Sequence, residues 1–235
     1  MKSKAFTLAE TLVTIGIIGI VAAMTIPPLI NNYKAQVTAT KLKKTYTVLS
    51  QAMNAAVAKY GDAKYWPEWE TSAEEVLRIY LAPEIINAKV YPTASSQDKT
   101  MCYERKPQFH YNGSYQYGWM NKIYMSSPFF ADLTASMKLL DGTCIGLNGV
   151  YPRVPTYGKL LFIDINSPEQ GPNMAGYDLF FFQVEGNNII PRGHDWPRKE
   201  LSLSSRTNSC HVKAYLGGLV CAAKIMEDNW EIKYW

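Results

Sequence analysis

Five oxygen-bearing side chains crowd one short stretch of this chain: Asp164, Asn166, Glu169, Asn173 and Asp178. Carboxylates and carboxamides grouped in this way are the ligands of a hard cation, and calcium gathers about six to eight oxygens from such loops. The spacing is not that of an EF-hand. The closing Glu is missing, and Pro168 and Pro172 fall inside the stretch. Asn, Asp, Gly and Pro also serve an ordinary strand-to-strand connection through their backbone geometry. The stretch therefore carries two readings, a calcium loop and a turn-rich connection that needs no ligand.

The four cysteines, Cys102, Cys144, Cys210 and Cys221, are the next candidates. Outside the cytoplasm they would be free to pair. Cys210 and Cys221 lie close together near the end of the chain, and a bridge between them would stabilise the tail by roughly 2–3 kcal/mol. Cys102 and Cys144 would then form the second pair. Four cysteines allow three connectivities, and sequence does not choose among them. A zinc site on Cys210, His211 and Cys221 is the sharper alternative, but the chain has no C-x-x-C pair.

No motif points to catalysis. His110, His194 and His211 stand in neither a G-x-S-x-G nor an H-E-x-x-H context, and no phosphate-cradling glycine loop is present. The expectation is a protein without enzymatic activity or cofactor, calcium apart. Aromatics from Phe109 to Tyr124, with Arg105 and Lys122 near them, could stack single-stranded nucleic acid. The same alternation is what a sheet needs to pack on a helix, and that reading is preferred. Charge agrees: 24 basic and 20 acidic residues give +4, too mild to argue for nucleic acid.

The element that organises the chain comes first. Lys2 and Lys4 precede Ala5-Phe6, and an apolar run then reaches Ile30, with one acid, Glu10, near its beginning. About 20 apolar residues cross a bilayer as a helix. A charged side chain at the centre of such a helix costs roughly 2.5–3.5 kcal/mol, and less near an end, so a carboxylate here calls for a partner. The positive end of the helix dipole favours it in the first turn. The plainer reading is that Glu10 marks the membrane interface. A secretory signal would place its small-residue cleavage site after the apolar region. Here the joint lies before it, and the helix stays on the product.

Ala5-Phe6-Thr7-Leu8-Ala9-Glu10 followed by an apolar helix resembles the prepilin processing signal of type IV pilins and type II secretion pseudopilins. The resemblance covers about the first tenth of the chain. It implies a leader of residues 1–5, cleavage by prepilin peptidase between Ala5 and Phe6, and methylation of the new Phe6 amine. It implies a long helix over residues 6–60, with 6–30 spanning the bacterial cytoplasmic membrane. It also implies that Glu10 meets the Phe6 amine of a neighbouring subunit and sets axial register. The family usually has Gly where this chain has Ala5, which predicts slower or equal cleavage. Other pilin or pseudopilin subunits and assembly-platform membrane proteins are the implied partners, and the function is that of a filament subunit. Some pseudopilins hold calcium in a comparable C-terminal loop. A non-polymerising minor pilin, acting as adhesin or DNA-binding module, is the first rival. A membrane-anchored periplasmic enzyme is the second.

Charge does not orient the chain. Lys34, Lys41, Lys43 and Lys44 follow the apolar run as Lys2 and Lys4 precede it, so the positive-inside count does not place the head outside. The resemblance does place it there.

The remaining elements follow from pattern. Pro27-Pro28 removes two backbone donors and predicts a bend or local break. Beyond it Leu42, Tyr46, Leu49, Met53, Ala56 and Tyr60 recur in steps of four and three on one helical face. Gly61-Asp62 ends the helix. Ser72 with Glu75 opens a second helix, with Val76, Ile79 and Tyr80 on its apolar face and Pro83 at its end. Residues 87–100 read as a loop. Strands are predicted at Tyr115 to Trp119, on both sides of Asp141-Gly142, at Lys159 to Ile165, at Asp178 to Val184, and after the Asn187-Asn188 turn. Leu219 to Met226 reads as a short helix, followed by an apolar end from Trp230 to Trp235. The fold class is α+β: a long N-terminal membrane and polymerisation helix packed on an antiparallel-sheet head, residues 61–235.

Overall fold

The computed structural model describes residues 7–91, 135–147, 159–167, 170–206, 209–211, 213–214 and 217–234. Ala5, Phe6, Cys102, His110, Glu169 and the aromatic stretch from Phe109 to Tyr124 lie outside the described residues.

Helix α1 runs from Leu8 to Tyr60. Its two halves live in different surroundings. The N-terminal part carries an 18-residue window of mean hydropathy 2.2, none of it buried. Leu8 to Ile30 rises ~35 Å, against a hydrocarbon thickness of ~30 Å, so this helix is long and apolar enough to cross a membrane. The C-terminal part buries Thr38, Ala39, Leu42, Thr45, Leu49, Ala52, Met53 and Ala56. This is the face the periodicity marks, although Tyr60 at its end stays exposed. Tyr46 stacks on Phe182 of the sheet at 5.6 Å between ring centroids.

Of the bend or local break expected at Pro27-Pro28, the break does not occur, since α1 is one continuous helix through both prolines. The prolines withdraw only two donors from a long ladder whose turns on either side are intact.

Gly61, at φ 84°, caps α1 and donates its N–H to the Val57 carbonyl at 2.9 Å. Ser72 caps α2 (Ala73–Val76) by accepting the Glu75 N–H at 3.2 Å. The helix continues as a π turn, Leu77–Leu81, and a 3₁₀ turn, Ala82–Glu84, that contains Pro83.

Six strands follow: β1 (Lys89–Tyr91), β2 (Ala135–Lys138), β3 (Cys144–Leu147), β4 (Leu160–Asp164), β5 (Leu179–Glu185) and β6 (Asn188–Pro191). They form one antiparallel sheet in chain order. The sequence reading of residues 87–100 as loop is corrected at β1, where Val90 pairs with Met137. Three residues are too few to show alternation.

Both faces of the sheet are covered, which accounts for unbroken apolar runs in β4 and β5. Phe180 and Phe182 face α1 together with Met137, Ile145, Leu161 and Ile163. Phe162 and Phe181 pack on the opposite face with Cys144, Leu160 and Leu179. Gly146 pairs with Phe162, and a Cβ there would overlap the Phe162 ring. A last helix, α3 (Cys221–Glu227), packs on β5.

Two polar clasps tie α1 to the sheet. Lys44 pairs with Asp141 in the β2–β3 turn at 2.8 Å. Asn187 in the β5–β6 turn accepts the Ala63 N–H and donates to Asp62, both at 2.9 Å.

Candidate functional site: the helix head and the β4–β5 loop

At the head of α1, Thr7 and Glu10 form a capping box. Thr7 Oγ1 accepts the Glu10 N–H at 3.3 Å, while Glu10 Oε2 accepts from the Thr7 N–H and hydroxyl, each at 2.8 Å. Two of the orphan donors at the helix start are thereby satisfied within the chain. The role of Thr7 was missed in the sequence reading, although T-x-x-E ahead of an apolar run is its signal.

The second site is built by register. Antiparallel pairing sets Asp164, the last residue of β4, opposite Leu179, so Asp178 stands beside Asp164. Asp164 is fully buried. Its Oδ1 accepts the Asn166 N–H at 3.2 Å, but Oδ2 finds no donor. Asp178 accepts the Asn173 N–H at 2.8 Å and the Met174 N–H at 2.6 Å. Asn166 donates to the Gly171 carbonyl at 2.9 Å and its buried Oδ1 has no donor. Four of the five loop residues named from sequence therefore converge, and the fifth, Glu169, lies outside the described residues.

The electrostatics follow from this crowding. Burial first, and the Asp178 charge second, push the Asp164 carboxyl up to about 8. Burial also raises Asp178, against the hydrogen bonds from Met174, Asn173 and Asn166. Two buried carboxyl groups side by side must share a proton or a cation. The donorless oxygens of Asp164 and Asn166 are hard donors of the kind calcium takes. Among the described residues no three His, Cys, Asp or Glu side chains gather. Carboxamide, backbone and water oxygens would therefore have to complete a calcium shell.

This loop leans on α1. Tyr33, Lys34, Thr38 and Lys41 face Asn166, Pro172 and Tyr177 across a cleft of about 270 Å³. The cleft opens where the helix leaves its apolar stretch. It is smaller than the ~300–1,000 Å³ typical of small-molecule sites.

Cys210 and Cys221 form a disulfide with their Cα atoms 4.7 Å apart. Cys144 is also disulfide-bonded. The zinc alternative is thereby corrected, because the two sulfurs are bonded to each other and offer no thiolate. His211 accepts the Lys213 N–H instead, at 3.1 Å. His194 lies 3.6 Å from Glu185 at the surface.

Fold and site together define a class: an α+β head built around the second half of a helix whose first half is bare and apolar. Residues 28–104, about a third of the chain, match a family of unknown function (DUF6613). The match begins at Pro28, near the end of the apolar stretch of α1, and includes the buried part of the helix. No curated protein and no solved structure matches the chain.

Proposed function

We propose that this chain is a prepilin-like subunit of a type IV pilus or type II secretion pseudopilus. It is inserted in the bacterial cytoplasmic membrane, cleaved between Ala5 and Phe6, methylated, and assembled through α1 with its head outside the cytoplasm. The observation that carries this reading is the division of α1. One half is core to the head, while the other leaves Leu12, Ile15, Ile18 and Met24 exposed around an acid in its first turn. Such a surface needs lipid before assembly and other helices after it.

The test is intact mass with N-terminal fragmentation on protein extracted from membranes. Loss of Met1 to Ala5 with one methyl on Phe6 is expected. A full-length, unmethylated N-terminus in cells with an active prepilin peptidase overturns the reading.

The orphaned oxygens of Asp164 and Asn166 favour one addition, a calcium ion held by the β4–β5 loop. When bound it would neutralise the Asp164–Asp178 pair. Calcium should raise the unfolding temperature of the wild-type chain relative to EDTA, and Asp164→Asn should abolish the difference.

A further inference from the structure

Four lysines follow the apolar run, and the structure divides them. Lys44 pairs with Asp141, and Lys43 lies 5.9 Å from the centroid of the Trp230 ring. Lys34 and Lys41 are exposed, with no acidic partner within salt-bridge distance among the described residues. They stand two helical turns apart and line the same side of the α1–loop cleft. Tyr33, 67% exposed, stands at the same mouth. Asp178 also lines the cleft, but its carboxylate oxygens accept the N–H groups of Asn173 and Met174 in its own loop.

Depth supplies the second argument. Polar headgroups occupy ~5–7 Å on each side of a bilayer. With Ile30 at the end of the apolar stretch, Lys34 lies ~6 Å farther along the helix and Lys41 ~16 Å. The lower rim of the cleft is then level with lipid phosphates. Lys41 stands above them, on a flexible stem that can lean down. Tyrosine is the residue type that settles at this level.

We propose that this cleft holds the phosphate of an anionic phospholipid in the leaflet facing the head. Lys34 and Lys41 supply the positive charge, and the Tyr33 hydroxyl donates a hydrogen bond. The size of the cleft, about 270 Å³, suits a headgroup rather than a cofactor. The proposal rests on the membrane-spanning reading of α1, and it gives a use to the basic residues that spoil the positive-inside count.

The experiment uses the full chain in nanodiscs of equal phosphatidylglycerol and phosphatidylcholine, with native mass spectrometry of the retained lipid. Phosphatidylglycerol should be retained with a preference of about tenfold or more. Lys34→Ala with Lys41→Ala should bring the preference to near parity, Lys34→Arg with Lys41→Arg should keep it, and Lys64→Ala, elsewhere on the head, should leave it unchanged. Equal retention by wild type, or a preference that survives the double alanine variant, overturns the proposal. So does displacement of the lipid by inorganic phosphate at matching concentration and constant ionic strength, which would mark a free-phosphate site. Loss of the preference when a second copy binds through an acidic side chain would assign the cleft to subunit contact, and also overturns it. Alkaline carbonate extraction separates the two layers of argument. A chain released from membranes by carbonate defeats the spanning reading and this proposal together, whereas a retained chain without lipid preference defeats this proposal alone.

Discussion

Glu10 holds its own helix end through Thr7, yet the proposed assembly asks the same carboxylate to meet an amine on another subunit. The two roles separate by substitution. Glu10→Gln keeps an oxygen for the Thr7 donors and removes the charge, while Thr7→Ala removes the capping hydroxyl and leaves the charge in place. Glu10→Gln and Glu10→Ala should both be cleaved normally and fail to enter filaments, and Thr7→Ala should still assemble. Immunoblots of processed subunit beside sheared filament decide this. Normal assembly of Glu10→Gln would leave capping as the only role of the residue. Asp164 makes a different claim. Its carboxyl is raised to about 8 by burial and by Asp178, against an ordinary value near ~4, so the fold prefers the neutral acid. The stability this contributes is whole below about pH 4, declines as pH rises, and is gone above about pH 8. Urea midpoints measured in EDTA at pH 5, 7 and 9 should therefore fall along the series, and Asp164→Asn should flatten that slope. Asp164 and Asp178 were visible in the sequence as members of an oxygen-rich stretch. Their pairing was not, because it depends on the register of β4 against β5.

Among the elements, what the sequence displayed depended on how local its cause was. The Asp141-Gly142 hairpin, the caps at Gly61 and Ser72, and the apolar runs of β4 and β5 each state their conformation within a few residues. Strand β1 is three residues long and pairs across a wide gap in sequence to β2, so nothing local announces it. At Pro27-Pro28 the ladder on either side is long enough to carry α1 through two missing donors without a break. Replacing both with Ala should therefore leave the helical content of the full chain in detergent unchanged or slightly higher by circular dichroism. A fall in helicity would mean that the prolines organise the helix. The close approach of β3 and β4 is equally specific. Gly146→Ala places a methyl against the Phe162 ring, and should cost about 1–3 kcal/mol in denaturant unfolding. The cleft between α1 and the β4–β5 loop had no signature in the sequence, since it exists only after the loop docks on the helix.

For the whole molecule, the division of α1 means that its bare apolar half and the folding of the head are separable. The buried residues of the helix begin at Thr38, and both clasps to the sheet lie beyond it. A chain lacking residues 1–30 should be water-soluble and should unfold within a few degrees of the full chain in detergent. A large loss of stability would show that the apolar half supports the head. The clasp between Asn187 and Asp62 joins residues 125 positions apart. Synthesis delivers the inner face of α1 long before the strands that cover it, and a contact spanning so much chain closes late. Until then, the stripe from Leu42 to Ala56 is a greasy ledge awaiting β5 and β6. Any chain cut short before residue 188 would present it permanently, marking the product for capture by chaperones or proteases.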